Sequence, residues 1–130
     1  MKPLTAIVRL LLGLAFSVFG LNGFLTFFPA PPMAGPAGAF IGAMAVSHYL
    51  FLVSGTQLVA GVLLLSNRFV PLALALLAPM LANILVFHLT MQPAGLPPGI
   101  VATVLWGFLV IRYRPYFASI FVARAQPGQG

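Results

Sequence analysis

Apolar residues fill the chain in long runs, and the breaks between the runs are short and either polar or rich in proline. The first run extends from about Leu4 to Phe28, interrupted only by Arg9, Ser17 and Asn22, and stops at Pro29-Ala30-Pro31-Pro32. Proline has no amide donor with which to continue a helix and restricts the residue before it, so this break reads as a helix end. A second run from about His48 to Ser66 ends at Asn67-Arg68, and a third from about Phe69 to Met91 ends at Gln92-Pro93. The fourth, from about Gly99 to Arg112, is the shortest, and it takes Tyr113 to Phe117 as an interfacial extension, for a span of about 99–115. A transmembrane helix needs about 20 mostly apolar residues. The pattern therefore predicts an all-α, polytopic membrane protein, a single four-transmembrane-helix bundle over residues 1–117. Residues 118–130 form a short tail, of which Arg124-Ala-Gln-Pro-Gly-Gln-Gly130 is too polar and too rich in glycine and proline to order itself.

The stretch Pro29 to Ser47 is longer than a tight connection and carries Phe40, Ile41, Met44 and Val46. Gly38 and Gly42, flanked by Ala39 and Ala43, point to a short helix at the membrane interface or dipping back into protein; a packed loop is the alternative. Lys2 gives the chain the basic start of a signal peptide. The apolar run that follows exceeds an h-region of about 7–15 residues and contains Arg9 and Asn22, so it is read as a retained span.

Composition makes lipid the solvent for most of this surface. Of 130 residues 62% are hydrophobic and 5% charged, where soluble domains carry about a quarter charged residues. Mean hydropathy is +1.13. The chain has six Lys plus Arg, no Asp or Glu, and no Cys. Missing carboxylates exclude paired-acid hydrolysis, a Ser-His-Asp triad and a calcium or magnesium cage. Missing thiols exclude disulfides, a thiolate nucleophile, zinc-thiolate sites and iron–sulfur clusters. A net charge of +6 does not indicate nucleic acid, because the cations are scattered singly rather than set in a basic stripe. Threading four spans up and down places Lys2, Arg9, Arg68, Arg112, Arg114 and Arg124 at one face and leaves both opposite loops uncharged. Positive residues stay cytoplasmic, so both termini are expected inside; three or five spans would break this segregation.

Polar side chains inside the spans are the candidate chemistry. At 1.5 Å per residue, Asn22 lies about 9 Å below the outer end of its span, and Gln57 and Asn83 about 12–14 Å below theirs. Three uncharged amides thus share one layer, either as hydrogen-bonded structural glue between helices or as the floor of a cavity open to the outer face. His88 lies nearer the same surface, where His48 begins the second span. With no carboxylate to orient either ring, haem ligation by the pair is not the expectation; His48 reads as interfacial and His88 as packed or ligand-facing. Pro79 interrupts the hydrogen-bond ladder of the third span and is expected to kink it. Gly99, Thr103 and Gly107 form a small-residue stripe for close helix packing. Arg9 is expected to snorkel to the headgroups, and Tyr113, Tyr116 and Phe117 beside Arg112 and Arg114 to anchor at the interface. Leu25-Thr-Phe-Phe-Pro-Ala30 and Leu89-Thr-Met-Gln-Pro-Ala94 form a faint repeat, as two parallel hairpins would.

Several segments together carry a family resemblance. They are Arg9-Leu-Leu-Leu-Gly13 with Phe19-Gly-Leu-Asn-Gly23, Phe28-Pro-Ala-Pro-Pro32, Leu64-Leu-Ser-Asn-Arg-Phe-Val-Pro-Leu-Ala73, and Ala78-Pro-Met-Leu-Ala-Asn-Ile84 running into Phe87-His88. From Arg9 to Phe117 the chain resembles the DoxX-like family of small four-helix membrane proteins. The resemblance implies a bacterial inner-membrane protein; namesake members form a quinone-linked thiosulfate oxidoreductase, and some relatives join membrane complexes that handle thiol or oxidative stress. Relatives commonly carry a glutamate before the Gly-x-Leu-Leu-Leu run, where this chain has Gln57 ahead of Gly61-Val-Leu-Leu-Leu65. Glutamine hydrogen-bonds but does not titrate, so a mechanism moving a proton through that position does not carry over. The expected function is a non-catalytic subunit or a binding partner for a small apolar ligand such as quinone, with Asn22, Gln57, Asn83 and His88 as binding candidates. The alternative is a small transporter lined by the same amides. No catalytic residue, metal site or further cofactor is evident, and the expected partners are the bilayer, other membrane proteins or further copies of the chain.

Overall fold

A computed structural model describes residues 2–26 and 33–128. Every regular element among them is helical: α1 (Lys2–Leu25), α2 (Gly35–Val46), α3 (Tyr49–Ser66), α4 (Val70–Thr90) and α5 (Leu96–Arg112). Short 3-10 segments at Pro93–Gly95 and Arg114–Phe121 flank α5. Four helices are long and apolar enough to cross a membrane, α5 counting with its 3-10 lead-in from Pro93. Their outer faces expose Ile7, Leu11 and Leu14 on α1 and Val101, Val104 and Ile111 on α5. So much continuous apolar surface suits a hydrocarbon solvent and would aggregate in water.

The first helix ends at Leu25, three residues before the expected Phe28, with Thr26 in the left-handed region at φ 49° and its amide donating to the Asn22 carbonyl at 2.8 Å. The Pro29–Pro32 run, and the first copy of the faint repeat from Phe27 onward, fall outside the described residues. At the other boundary α5 begins earlier than Gly99. Pro97 and Pro98 occupy its first turn, where no helical partner waits for their missing amides, so the prolines start this helix instead of delaying it. It also ends earlier, at Arg112; a 3-10 segment follows over Arg114–Phe121, and residues 124–128 of the tail carry no helix or strand. The short helix expected between Pro29 and Ser47 is α2, opened by Gly35 at φ +67°, a backbone conformation that costs glycine nothing.

In space the spans form a ring in the order α1, α3, α4, α5, closed by α5 against α1. The tightest junction is α1 on α3, where Gly13, Ser17, Gly20 and Gly23 face Ser54, Leu58, Gly61 and Leu64. A methyl group built on Gly61 would stand 2.5 Å from the Ser17 amide nitrogen and 2.8 Å from the Gly13 carbonyl oxygen. One on Gly20 would stand 2.6 Å from the Leu58 nitrogen. The backbones meet directly, which small residues alone permit. Ser17 is buried in this junction, its Oγ without a hydrogen-bond partner among the described residues.

By contrast, the Gly99, Thr103 and Gly107 stripe packs at one end only. A Cβ on Gly99 would lie 3.3 Å from Ile84 Cγ2 of α4, Thr103 Oγ1 donates to the Gly99 carbonyl at 2.8 Å, and Gly107 has nothing within 4 Å. Each four-residue step turns about 40° around a helix, so Gly107 points about 80° away from Gly99. The lower α4–α5 junction is held by Trp106, whose indole nitrogen donates to the Leu74 carbonyl at 2.8 Å. Trp106→Phe removes that bond together with part of the indole's packing volume; unfolding in mixed detergent micelles is expected to show a loss of at least about 0.6–1.7 kcal/mol. An unchanged midpoint would mean the bond adds nothing.

Arg9 departs from the expected snorkelling. Its Nη1 donates to the Leu64 carbonyl and reaches the Leu65 carbonyl at 3.4 Å, so it caps the end of α3. Around that end the chain turns tightly through Asn67 and Phe69, both left-handed at φ 56° and 53°. The core lies in the same half of the bundle: Val8, Leu12 and Phe16 of α1, Ala60 and Leu64 of α3, Val70, Ala73, Leu74, Leu77 and Leu81 of α4, and Leu109 of α5. The half beyond Phe16, Leu81 and Ala102 is hollow.

Candidate ligand cavity in the hollow half

The cavity has a volume of about 1010 Å³. Its walls come from the last three turns of α1, the first half of α3, the upper part of α4 and the first turns of α5, with Phe40, Ile41 and Met44 of α2 laid along it. Asn22, Gln57, Asn83 and His88 all line it, so the amide layer read from residue spacing surrounds one space. No lysine or arginine does, and the chain has no carboxylate to offer. Neutral amides and an imidazole set among Phe16, Phe19, Val53, Met80, Ile84 and Phe87 make a mostly apolar pocket with a few hydrogen-bonding points.

Each polar group is placed differently. Gln57 is half-buried and, among the described residues, its amide has no hydrogen-bond partner. A half-buried amide without partners is costly in an apolar wall unless something in the cavity meets it. Asn83 turns back along its own helix, Nδ2 donating to the Pro79 carbonyl at 2.9 Å, which leaves its second N–H and its oxygen for the cavity. That bond lies within α4, not between helices as structural glue requires, and α4 continues through Pro79 to Thr90. Asn22 sits near the end of α1, and its backbone carbonyl receives the Thr26 amide.

His88 is the most tightly seated. Its Nδ1 lies 3.1 Å from the Gln92 carbonyl oxygen. A carbonyl only accepts, so Nδ1 carries the proton there, and in the neutral ring Nε2 is an acceptor. Phe87 meets the ring edge-on at 5.1 Å and itself packs on Phe40 of α2 at 5.5 Å. A Cβ on Gly95 would fall 2.3 Å from His88 Cε1, so this glycine clears the space for the imidazole, while one on Gly99 would make only ordinary contact with Cδ2 at 4.0 Å. Gly95 has no role in the sequence reading; the signal was a glycine two helical turns past the histidine, beyond Pro93.

The second histidine does not join the first. His48 is exposed, stands left-handed at the start of α3 and stacks on Phe51 at 5.6 Å, which stacks on Phe24 at 5.2 Å; it does not line the cavity. No group of three His, Cys, Asp or Glu side chains that could hold a metal occurs among the described residues. No family model, curated protein or solved structure matches the chain.

Proposed function

We propose that the protein binds a small, uncharged, mostly apolar molecule within the membrane, and that it does so as a non-catalytic member of a redox or stress-response assembly. The observation that carries this reading is the unpartnered Gln57 amide on an uncharged cavity of about 1010 Å³. Ligand pockets are of order 300–1000 Å³, apolar, with few and well-placed polar groups. A quinone fits that chemistry: a flat apolar ring with two carbonyl acceptors, met by amide N–H groups of Gln57 and Asn83, while His88 Nε2 accepts from a hydroxyl of the reduced form. Those residues would bind and orient such a ring, and electron transfer is assigned in this reading to a partner in the assembly.

The resemblance to DoxX-like proteins supports the same reading. With it we place the chain in the bacterial inner membrane with both termini cytoplasmic, on the strength of the cations gathered at one end.

Decylubiquinone added to the detergent-purified protein is expected to raise its melting temperature in a saturable way. Gln57→Leu removes one hydrogen bond and should weaken that stabilisation about tenfold in ligand concentration without unfolding the apo protein. Undiminished stabilisation in both Gln57→Leu and Asn83→Leu would overturn the site. Saturable flux of a solute through proteoliposomes, altered by the same substitutions, would favour a transporter instead.

A further inference from the structure

The opposite end of the bundle holds a second concavity, unlike the first in every chemical respect. It has a volume of about 360 Å³ and is lined by Lys2, Thr5 and Arg9 of α1, Asn67 after α3, and Arg112 and Tyr113 at the end of α5. Three cationic side chains from two helices converge on it, and the chain contains no Asp or Glu that could neutralise them.

Two of the three are fixed in place by contacts within the protein. Arg112 Nε donates to Thr5 Oγ1 at 3.1 Å, tying the end of α5 to the start of α1. Arg9 is held through Nη1 on the α3 carbonyls. A guanidinium has five N–H donors, so each keeps others to offer. The first turn of α1 adds the positive end of a helix dipole. Like charges held close without an anion repel one another, and they are stabilised when an oxyanion joins them. Arginine, lysine and hydroxyl donors around a small open cleft are the chemistry of phosphate recognition.

We propose that this cleft binds a phosphate group. The phosphate has two sources, the headgroup of an anionic phospholipid in the adjoining leaflet or free phosphate from the aqueous side, and the chemistry that holds it is the same.

The purified full chain in mild detergent, measured by native mass spectrometry and thermal unfolding, separates them. Phosphatidylglycerol is expected to be retained at one molecule per chain in preference to a galactosyl diacylglycerol of the same acyl chains. Arg112→Gln and Lys2→Gln should each weaken retention about tenfold. Arg68→Gln removes the same charge from the same end but lies outside the cleft, and it should leave retention unchanged. Thr5→Val, which keeps every charge and frees Arg112, should give a smaller loss than Arg112→Gln; since it retains net charge, it separates the placement of Arg112 from charge alone, and thermal unfolding without added lipid or phosphate checks that each variant is folded. Saturable stabilisation by inorganic phosphate, lost in the same variants and without selective lipid retention, assigns the cleft to free phosphate and supports the proposal. Equal retention of the phosphate-free lipid with no response to phosphate would overturn it, as would an Arg68→Gln loss equal to that of Arg112→Gln.

Discussion

Gly61→Val is expected to abolish accumulation of folded protein, and Gly61→Ala to destabilise it by about 1–3 kcal/mol, the cost of forcing one extra group into a filled interior. The atoms in the way are the Ser17 amide nitrogen at 2.5 Å and the Gly13 carbonyl oxygen at 2.8 Å, both main chain of α1. A side chain could rotate aside; a helix backbone moves only by prising α1 from α3, and that junction is the closest in the ring. Gly20 meets the same obstacle in the Leu58 backbone, so Gly20→Ala should behave alike. Gly107→Ala is the control. Nothing lies within 4 Å of its would-be Cβ, and the better helix propensity of alanine should leave stability unchanged or raise it by up to about 1 kcal/mol. Mixed-micelle unfolding of the four proteins checks the ordering. A Gly61→Ala protein as stable as the wild type would mean that α1 and α3 are not packed backbone to backbone.

That junction also marks a limit of what the sequence reveals. The four spans are legible because hydrocarbon imposes a length and a composition on each helix separately. Which helix faces which is a tertiary fact, and small residues are scattered through all four spans. Thus Gly99, Thr103 and Gly107, evenly spaced, invite a packing stripe that extends no further than Gly99, while Gly13, Ser17, Gly20 and Gly23 mesh with Ser54 and Gly61 at spacings that are individually unremarked. The candidate site fared differently. Depth along a helix follows from residue number at 1.5 Å each, so Asn22, Gln57 and Asn83 could be put at one level without knowing the packing. Their convergence on one cavity adds the lateral direction. What depth could not supply is the partner of each amide, Asn83 bonding within its own turn and Gln57 having none among the described residues, or the seat of His88, which Gly95 clears without contributing chemistry of its own.

The absence of Asp and Glu connects the two ends of the molecule. In the hollow half it leaves amides, hydroxyls and an imidazole as the polar side chains around the cavity. In the packed half it leaves six cations with no side-chain counterion, so backbone carbonyls, hydroxyls and groups from outside the protein are the acceptors available. Arg112 takes a hydroxyl, Arg114 takes the Ile111 carbonyl at 3.1 Å, and Arg9 takes the carbonyls of α3.

Arg9→Met is accordingly expected to destabilise the fold by about 1.5–3 kcal/mol, the range for a hydrogen bond made to a charged group. Methionine preserves the apolar stem, so the loss reports on the guanidinium. The α3 terminus depends on it because helix-end carbonyls have no intrahelical donor and must find one elsewhere. The Leu63 carbonyl receives the Arg68 amide at 3.1 Å and the Leu64 carbonyl the Asn67 amide at 3.3 Å, a long bond. Leu64 is 0% exposed, so water cannot complete its shell, and Arg9 is the group that does. Arg9→Lys should fall between: an ammonium can reach one carbonyl, but it lacks the planar fork that lets a guanidinium span two. Mixed-micelle unfolding gives the ordering, and hydrogen exchange at the Asn67 and Arg68 amides should quicken more in Arg9→Met than at amides in the middle of α3. Were Arg9 only snorkelling to headgroups, lysine would replace it without loss and exchange at the α3 terminus would not change. Full stability of Arg9→Met would show that the cap is dispensable.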